Sequence, residues 1–315
     1  MKILANDGID PIGKKLLEDA GIEVDTQNIP QEELASKLNA YDAITVRSAT
    51  KVRKELIDAC PNIKLIGRGG VGMDNIDVEY ARSKGIFVEN TPAASSLSVA
   101  ELVFSHFLNG VRFVHDSNRK MPVEGNTQFN GLKKAYAKGT ELRGKTIGII
   151  GFGRIGRETA KVALGLGMDV IAYDLFDVPS TLTLELSGNI TVDVPVKKVT
   201  FDDLLAQADF ISLHVPFTEK PILGKAEFDK MKSGVGIVNC SRGGTIDELE
   251  LVEALNNGKV GFAGLDVFDN EPTPRLEILQ HPKISLTPHI GAATNEAQER
   301  IGVELAKIMI SRLKG

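Results

Sequence analysis

The sequence predicts an α/β protein with two domains, each built on a doubly wound parallel sheet. Short apolar, β-branched segments begin 20 to 22 residues apart over the first part of the chain, and a second series begins near Lys145. Segments with helical periodicity lie between them. This is the spacing of a strand followed by a crossover helix, and such alternation is typical of a parallel sheet with helices on both faces.

Composition agrees with two globular domains and excludes several classes of protein. The 315 residues correspond to about two domains at roughly 150 residues each. Apolar residues make up 42% of the chain and charged residues 25%, as in ordinary globular proteins. The 37 basic and 42 acidic residues give a net charge of −5, which is the wrong sign for a protein that coats nucleic acid. We therefore expect no nucleic-acid partner.

The two cysteines, Cys60 and Cys240, have no C-x-x-C spacing, so neither a disulfide framework nor a metal site is predicted. The N-terminal segment has polar residues where a secretory signal needs apolar ones, and no run of about 18 apolar residues occurs. We expect a cytoplasmic protein without a membrane partner.

The first domain is predicted to contain five strands, each followed by helical periodicity. These strands are Lys2–Ala5, Ile22–Val24, Ala43–Val46, Lys64–Ile66 and Ile86–Val88. Five such units in succession predict a flavodoxin-like domain over residues 1–97.

A helix is expected to leave this domain after Ser98, which with Glu101 has the spacing of a capping box ahead of the apolar segment Val99–Val114. We expect a polar loop from there to about Thr140. Six further strands are predicted at Lys145–Ile150, Asp169–Tyr173, Phe210–Val215, Gly236–Cys240, Phe262–Leu265 and Ile284–Thr287. The last segment, Asn295–Arg312, has apolar residues at helical spacing and predicts a terminal helix.

The first strand of the second domain runs directly into Gly151–Gly156, with the sequence G-F-G-R-I-G, and helical periodicity follows. In this context the three glycines have separate roles. Gly151 permits the tight turn, Gly153 lets the backbone approach a pyrophosphate, and Gly156 lets helix and strand pack closely. The motif predicts a Rossmann-type dinucleotide-binding domain over residues 98–289, with the pyrophosphate at the helix N-terminus.

Asp174 stands at the end of the next predicted strand, 18 residues after Gly156. This is near the distance expected for a carboxylate that binds the ribose hydroxyls of NAD. The same charge repels the 2′-phosphate of NADP, and no arginine directly follows Asp174 to attract it. We therefore predict NAD as the cofactor. The alternative is a glycine-rich turn in an α/β core, with Asp174 as a helix cap or a solvated side chain.

Residues just after the strands of a doubly wound sheet line its ligand site, because ligands bind beyond the carboxyl ends of the strands. Arg242, Glu271 and His289 follow three consecutive predicted strands. Oxidation of an alcohol by hydride transfer needs a base for the hydroxyl proton, and histidine gains and loses a proton near neutral pH. Glu271 can orient the imidazole of His289, and the fork of Arg242 can bind a substrate carboxylate. Each residue also has a structural interpretation, such as an ion pair for Arg242, which their joint placement disfavours.

Seven segments, including the strand ends described above, form one pattern: Val46–Val52, Gly67–Asp77, Asn90–Pro92, Gly151–Gly156, Asn239–Gly244, Asp266–Pro272 and Pro288–Gly291. With them the chain resembles the D-isomer-specific 2-hydroxyacid dehydrogenase family, and within it the phosphoglycerate dehydrogenases, over nearly its whole length. The resemblance implies that the terminal helix returns to the first domain, so that residues 290–315 join residues 1–97. It also implies a homodimer to which the helix near Val99 contributes. Little of the chain follows the terminal helix, so we expect no C-terminal regulatory domain of the kind many relatives have, and no serine feedback through it.

The resemblance also implies roles for single residues. Arg242 binds substrate, Glu271 supports the histidine, and His289 is the general acid and base. From the motif or the resemblance, NAD contacts are expected for Gly151, Gly153, Arg154, Ile155, Gly156, Asp174, His214, Val215, Pro216, Cys240, Ser241, Arg242, Asp266, His289, Gly291 and Ala292. His106, in the helical stretch, is expected to be a packed residue.

A doubly anionic substrate is favoured by basic residues of the first domain. Arg47 and Arg68 follow its third and fourth strands, and Lys51 is expected one helical turn beyond Arg47. Three cations can balance a carboxylate and a phosphate, and we expect Gly69 and Gly70 to leave backbone N–H groups open for a carboxylate. The expected substrate site is Arg47, Ser48, Lys51, Arg68, Gly69, Gly70, Arg242 and His289. The alternative for the two arginines is pairing with surface carboxylates.

We predict NAD-dependent oxidation of 3-phosphoglycerate to 3-phosphohydroxypyruvate, the entry step of serine biosynthesis that the resemblance implies. One alternative is a hydroxypyruvate, glyoxylate or other D-2-hydroxyacid reductase, which has the same catalytic set and less need for Arg47 and Arg68. An alternative of another class is an NADH-sensing binding protein, similar to a corepressor, in which turnover is incidental.

Overall fold

A computed structural model describes residues 1–314 of the chain. It divides into two compact units, Met1–Ser98 with Ala292–Gly315 and Val99–Gly291. The expected domain bounds, 1–97 with 290–315 and 98–289, differ from these by one or two residues. Both units contain a parallel sheet flanked by helices, so the predicted α/β class is confirmed.

The first unit is a five-stranded parallel sheet with the order β2-β1-β3-β4-β5, which is the flavodoxin-like order. Its elements are β1 (Lys2–Ala5), α1 (Pro11–Asp19), β2 (Glu23–Asp25), α2 (Leu34–Lys37), a 3₁₀ turn (Leu38–Ala40), β3 (Ala43–Val46), α3 (Lys54–Ala59), β4 (Leu65–Arg68), α4 (Val78–Ser83) and β5 (Phe87–Asn90).

The C-terminal helix, Asn295–Lys314, belongs to this first unit because it packs directly on α1. The two helices meet at a pair of glycines. A Cβ on Gly13 would lie 2.5 Å from the carbonyl oxygen of Gly302, so any larger residue would push the helices apart. Leu305 and Met309 of the same helix are buried in the core beside β4. The chain therefore returns to its first unit, as the resemblance implies.

The second unit is a seven-stranded parallel sheet with the order β10-β7-β6-β11-β12-β13-β14. Its elements are α5 (Ser96–Val111), α6 (Val114–Ala135), β6 (Thr146–Ile150), α7 (Arg154–Gly165), β7 (Asp169–Tyr173), β8 (Thr181–Leu186), β9 (Ile190–Pro195), β10 (Lys197–Lys198), α8 (Phe201–Gln207), β11 (Phe210–Leu213), α9 (Lys225–Lys230), β12 (Val235–Asn239), α10 (Glu248–Asn256), β13 (Val260–Leu265), α11 (Leu276–Leu279) and β14 (Ile284–Leu286). The strand order changes direction between β6 and β11, which is where doubly wound sheets bind ligands.

Helix α5 is fixed to the second sheet by an aromatic cluster. Phe107 is fully buried, and its ring meets those of Phe104, Phe210 and Phe262 edge to face at centroid distances between 5.4 and 6.4 Å. Such pairs stabilise a core beyond their buried area. The side chains of α5 next to Phe107 are therefore held in fixed positions.

Two expectations for the region after the first unit are wrong. Helix α5 begins at Ser96, so Ser98 lies within its first turn and does not form the expected capping box. The expected polar loop is helix α6, which contains Pro122 and departs from helical dihedral angles at Gln128. Its end is anchored by the buried Leu132 and by a hydrogen bond of 2.7 Å from the hydroxyl of Tyr136 to the carboxylate of Asp116. These tertiary contacts override a sequence whose proline and glycines disfavour a helix.

An antiparallel hairpin of β8 and β9 follows β7 and was not predicted. The sequence contains its signal, because threonine and leucine alternate over β8 and Gly188 and Asn189 adopt positive φ at the turn. Separately, no single helix within residues 1–314 is long and apolar enough to span a membrane; the bent pair α5 and α6 meets that test only in combination, by length and composition.

Candidate active site

The glycine-rich turn between β6 and α7 has the geometry its sequence predicts. Gly151 has φ of 89°, and a Cβ there would lie 2.3 Å from the carbonyl oxygen of His214. A Cβ on Gly156 would lie 2.1 Å from the carbonyl oxygen of Gly151, so strand and helix pack closely. A Cβ on Gly153 would have no neighbour within 4 Å. The open space over Gly153 is therefore a feature that a pyrophosphate can use, whereas the other two glycines serve the fold.

Asp174 is tied to this turn by its own carboxylate. Oδ2 accepts a hydrogen bond of 2.6 Å from the backbone N–H of Phe152, and Oδ1 accepts one of 2.9 Å from that of Phe176. The residue is half-buried and a turn, not a helix, follows it, so it is not a helix cap. A fixed carboxylate at the end of β7 fits the ribose hydroxyls of NAD.

His214 follows β11, two strands from Asp174 in the sheet, and packs against the glycine-rich turn. Its carbonyl oxygen packs against Gly151, and Nε2 lies 2.9 Å from the hydroxyl of Ser212. Burial lowers the pKa of His214 to about 3, so the imidazole is neutral at physiological pH. Val215, the next residue, also contacts the position where Gly151 would carry a Cβ. The segment after β11 thus forms one wall of the glycine-rich turn.

His289 and Glu271 are in direct contact. Nδ1 of His289 lies 2.8 Å from Oε2 of Glu271, and the other carboxylate oxygen accepts a hydrogen bond of 3.1 Å from the backbone N–H of Phe268. Within residues 1–314, Nε2 of His289 makes no hydrogen bond, and 45% of the histidine side chain is exposed. A carboxylate on one ring nitrogen and an accessible second nitrogen form an acid–base device.

Arg242 lies on the turn after β12, which Asn239 holds in place. The side-chain amide of Asn239 donates to the carbonyl oxygen of Arg242 at 2.9 Å, and its oxygen accepts from the backbone and hydroxyl of Ser241. A Cβ on Gly243 would lie 1.9 Å from the carbonyl oxygen of Phe268, so this turn packs directly on the loop that leads to Glu271. The sequence gives Asn239 no separate role, although an asparagine at a strand end is a known turn signal.

Asp266 and Cys240, which directly follow β13 and β12, are both buried. The carboxylate of Asp266 accepts hydrogen bonds from the Thr287 hydroxyl and from the backbone N–H groups of Ile290 and Gly291, and burial raises its pKa. Burial also raises the pKa of the Cys240 thiol well above its usual range. A buried thiol whose pKa is raised in this way is protonated near neutral pH and is a poor nucleophile.

In the first unit, the expectation of an open anion nest is wrong. The backbone N–H of Gly69 donates to the carbonyl oxygen of Val46 at 2.9 Å, and that of Gly70 donates to the Thr91 hydroxyl at 2.7 Å. The first bond continues the pairing of β3 with β4 beyond the end of β4. The second comes from the loop after β5, which the local sequence does not reveal. Neither N–H is therefore open for a carboxylate.

The basic residues of the first unit are only partly arranged as expected. Arg68 folds back so that a Cβ on Gly70 would lie 1.5 Å from its Nη1, and the side chain of Arg47 lies beside Gly69. The two arginines thus flank the same glycine pair. Lys51 is not one helical turn beyond Arg47, because residues 47–53 are not helical; its backbone is bonded instead to the side chain of Gln31. Ser48 is exposed on the same segment.

Comparison with known proteins agrees with this site. The family model described as "D-isomer specific 2-hydroxyacid dehydrogenase, NAD binding domain" matches residues 104–291. A hydroxypyruvate reductase of Thermotoga maritima is 44% identical over 318 residues, covering 99% of this chain and 98% of that protein. A D-3-phosphoglycerate dehydrogenase of Archaeoglobus fulgidus is 41% identical over 319 residues and all of this chain, which spans only 58% of its length.

Solved structures give the same result. A glyoxylate reductase from Paecilomyes thermophila has a TM-score of 0.83 at 32% identity, covering 99% of this chain and 94% of that one. A D-lactate dehydrogenase from Aquifex aeolicus, complexed with NAD and lactic acid, has a TM-score of 0.77 at 29% identity, covering 100% and 96%. The chain belongs to the D-isomer-specific 2-hydroxyacid dehydrogenase family. The predictions of this family and of NAD as cofactor are confirmed.

Coenzyme choice provides a first test of the site. In Asp174→Asn the amide oxygen can still accept one of the two backbone hydrogen bonds, but the negative charge is lost. We expect the ratio of kcat/KM with NAD to that with NADP to fall about tenfold, because the repulsion of a 2′-phosphate disappears. Asp177→Asn, three residues further on and fully exposed, is the matched control and should leave the ratio unchanged. An unchanged ratio in Asp174→Asn would exclude this carboxylate from coenzyme selection.

Proposed function

We propose that the protein interconverts 3-phosphoglycerate and 3-phosphohydroxypyruvate with NAD, as an enzyme of the phosphoglycerate dehydrogenase type. The observation that carries the proposal is the pairing of His289 with Glu271, together with two arginines that flank one glycine pair in the first unit. The pair provides acid–base chemistry, and Arg47 and Arg68 provide charge for an acid with two anionic groups.

In this proposal each protein residue has one task. Nε2 of His289 removes the proton of the substrate hydroxyl as the C2–O bond becomes a carbonyl, and Glu271 stabilises the resulting imidazolium through Nδ1. Arg242 binds the substrate carboxylate through its planar guanidinium. When bound, NAD would supply the acceptor for the hydride of C2. In the reverse direction the protonated His289 returns the proton to the carbonyl oxygen.

Residues of the second unit would hold the coenzyme. The turn at Gly153 has room for the pyrophosphate, and Asp174 is fixed where the ribose hydroxyls are expected. We further propose the NAD contacts that the sequence predicts at Arg154, Ile155, Val215, Pro216, Ser241, Gly291 and Ala292. A homodimer is also proposed, and exposed apolar side chains on α5 and α6, such as Leu108, Val123 and Phe129, support it.

A reductase for unphosphorylated acids is the second candidate, and one observation favours it. The relative from Thermotoga maritima, named a hydroxypyruvate reductase, matches this chain over nearly the full length of both. The NADH-sensing binding protein is not proposed, because the three residues required for turnover are all present.

Substrate choice separates the two candidates. In Arg47→Met we expect kcat/KM for 3-phosphoglycerate to fall about tenfold, because a hydrogen bond to a charged group contributes about 1.5 kcal/mol or more. The value for glycerate, which lacks the phosphate, should change little. Arg82→Met, on α4, is the control, because the Arg82 side chain is half exposed and pairs with Glu79. Rates are measured by NADH absorbance on 3-phosphoglycerate, glycerate, hydroxypyruvate and glyoxylate. Faster turnover of the unphosphorylated acids, or equal losses on both kinds of acid, would favour the reductase.

A further inference from the structure

His106 of α5 is hydrogen-bonded at both ring nitrogens. The sequence predicts only that it is a packed residue. Nδ1 lies 2.9 Å from the hydroxyl of Ser285, and Nε2 lies 3.0 Å from the hydroxyl of Thr287. Only 1% of the residue is exposed. The imidazole therefore bridges two positions at the end of β14, on the segment that leads to His289.

The directions of these hydrogen bonds follow from a third hydrogen bond, between Thr287 and Asp266. The Thr287 hydroxyl lies 2.6 Å from Oδ1 of Asp266 and donates to it, because a carboxylate only accepts. Thr287 must then accept from Nε2–H of His106, and Nδ1 accepts from the Ser285 hydroxyl. The arrangement requires a proton on Nε2, and in the neutral ring Nδ1 is then the acceptor. Burial lowers the pKa of His106 to about 4, which agrees with a neutral ring.

Asp266 connects these hydrogen bonds to the backbone directly after His289. Oδ1 accepts a hydrogen bond of 2.8 Å from the N–H of Ile290, and Oδ2 accepts one of 2.8 Å from that of Gly291. His289, the residue before them, has φ of 55°, in the left-handed region that is unfavourable for residues other than glycine. These hydrogen bonds hold the strained turn from which the His289 side chain reaches Glu271.

On β13, the strand that pairs with β14, a glycine leaves room for the imidazole. A Cβ on Gly264 of β13 would lie 2.5 Å from Cβ of His106 and 2.7 Å from its Cγ. A glycine within a strand marks such a close approach. On the helix side, Phe107 is locked into the aromatic cluster described above. His106 is thus held from both sides and cannot shift without disturbing the sheet.

We propose that His106 is a positioning residue for the catalytic histidine: acting through Thr287 and Asp266, its imidazole holds the turn that carries His289. The proposal rests on the proposed function only in that His289 carries the substrate proton, and it does not depend on which acid is the substrate. Without the imidazole, the Thr287 hydroxyl loses its donor and is free to rotate away from Asp266. The turn at His289 then loses part of its support, and small displacements of reacting groups lower rates strongly.

The test uses variants of the full chain and the best substrate of the acid panel. His106→Leu removes both hydrogen bonds. We expect kcat to fall about tenfold, because even a small displacement of the His289 imidazole from the reacting hydroxyl slows proton transfer. The Kd for NADH should change little. His106→Gln, whose amide can both donate and accept, should recover most of the rate. Val111→Ala, at the end of the same helix and outside the aromatic cluster, is the control for packing and should lower the Tm without lowering kcat.

A double-mutant cycle tests the route through Thr287. Thr287→Val removes the same link from the other side, so its effect on kcat and that of His106→Leu should not add when the two are combined. Additive effects, or an unchanged kcat in His106→Leu, would overturn the proposal. Should His106→Leu not fold, an unchanged kcat in Thr287→Val would have the same consequence. The kcat of His289→Ala is measured in parallel. An unchanged kcat in His289→Ala would refute the proposed function. A reduced kcat in His289→Ala with an unchanged kcat in His106→Leu would refute only the positioning role.

Discussion

His289→Ala is expected to lower kcat/KM for the 2-hydroxy acid by about 10²-fold or more, because general acid–base help contributes about 10² to 10⁴. The side chain has a carboxylate on one ring nitrogen and an accessible second nitrogen. Its removal leaves Arg242 and the glycine-rich turn in place, so the Kd for NADH should stay nearly unchanged. Steady-state rates and a fluorescence titration with NADH measure the two quantities.

His281→Ala is the matched control for this experiment. His281 also lies in the second unit, after helix α11, but its ring contacts Asn256 and the backbone of Lys283, away from Glu271. We expect its turnover to equal that of the unmodified protein. Near-normal turnover in His289→Ala would remove the imidazole from the mechanism, and a large loss of NADH affinity would show that the substitution disturbs the coenzyme site instead.

The parts of the site that sequence reasoning predicts well depend on local chain geometry. Gly151, Gly153 and Gly156 lie on one strand–turn–helix unit, and their roles follow from the turn itself. The contact between Glu271 and His289 joins loops after two strands that pair directly, β13 and β14. Parallel strands end at the same edge of a sheet, so residues after neighbouring strands meet there. Such contacts can be predicted once the strands are known.

The errors arise where a distant residue decides the outcome. The N–H groups of Gly69 and Gly70 look open in the sequence, but Val46 and Thr91 occupy them from other strand ends. Helix α6 contains a proline and two glycines, and it forms because Tyr136 and Leu132 anchor its end. Neither fact can be derived from local preferences, because tertiary contacts override weak local propensity.

His106 illustrates a third situation, in which the signal is present but split between two elements. A histidine on an apolar helix face predicts only a packed residue, and a glycine within β13 predicts only a close approach. The structure joins the two, since His106 packs on Gly264 and reaches Ser285 and Thr287 beyond it. To predict this contact, one must know that helix α5 packs on β13. The spacing of the strands in the sequence does not show this.

Gly153→Val is expected to raise the Kd for NADH about 10²-fold, a loss of about 2.8 kcal/mol, while the protein keeps its fold. Gly153 has φ of −73°, which valine can adopt, and a Cβ there would meet no protein atom within 4 Å. The added side chain therefore occupies only the space that the pyrophosphate needs. Thermal unfolding should give an unchanged Tm, and titration with NADH should show the loss of affinity.

Substitutions at two glycines of helix α7 are the controls for this experiment. Gly165→Val, at the far end of α7, also adds its Cβ to open space, so it should change neither the Tm nor the Kd. Gly156→Val would place a Cβ 2.1 Å from the carbonyl oxygen of Gly151 and should destabilise the fold by about 1–3 kcal/mol, as overpacking does. If Gly153→Val bound NADH normally, the pyrophosphate could not lie over this turn. If Gly153→Val lost as much stability as Gly156→Val, the open space would be a structural requirement rather than a binding site.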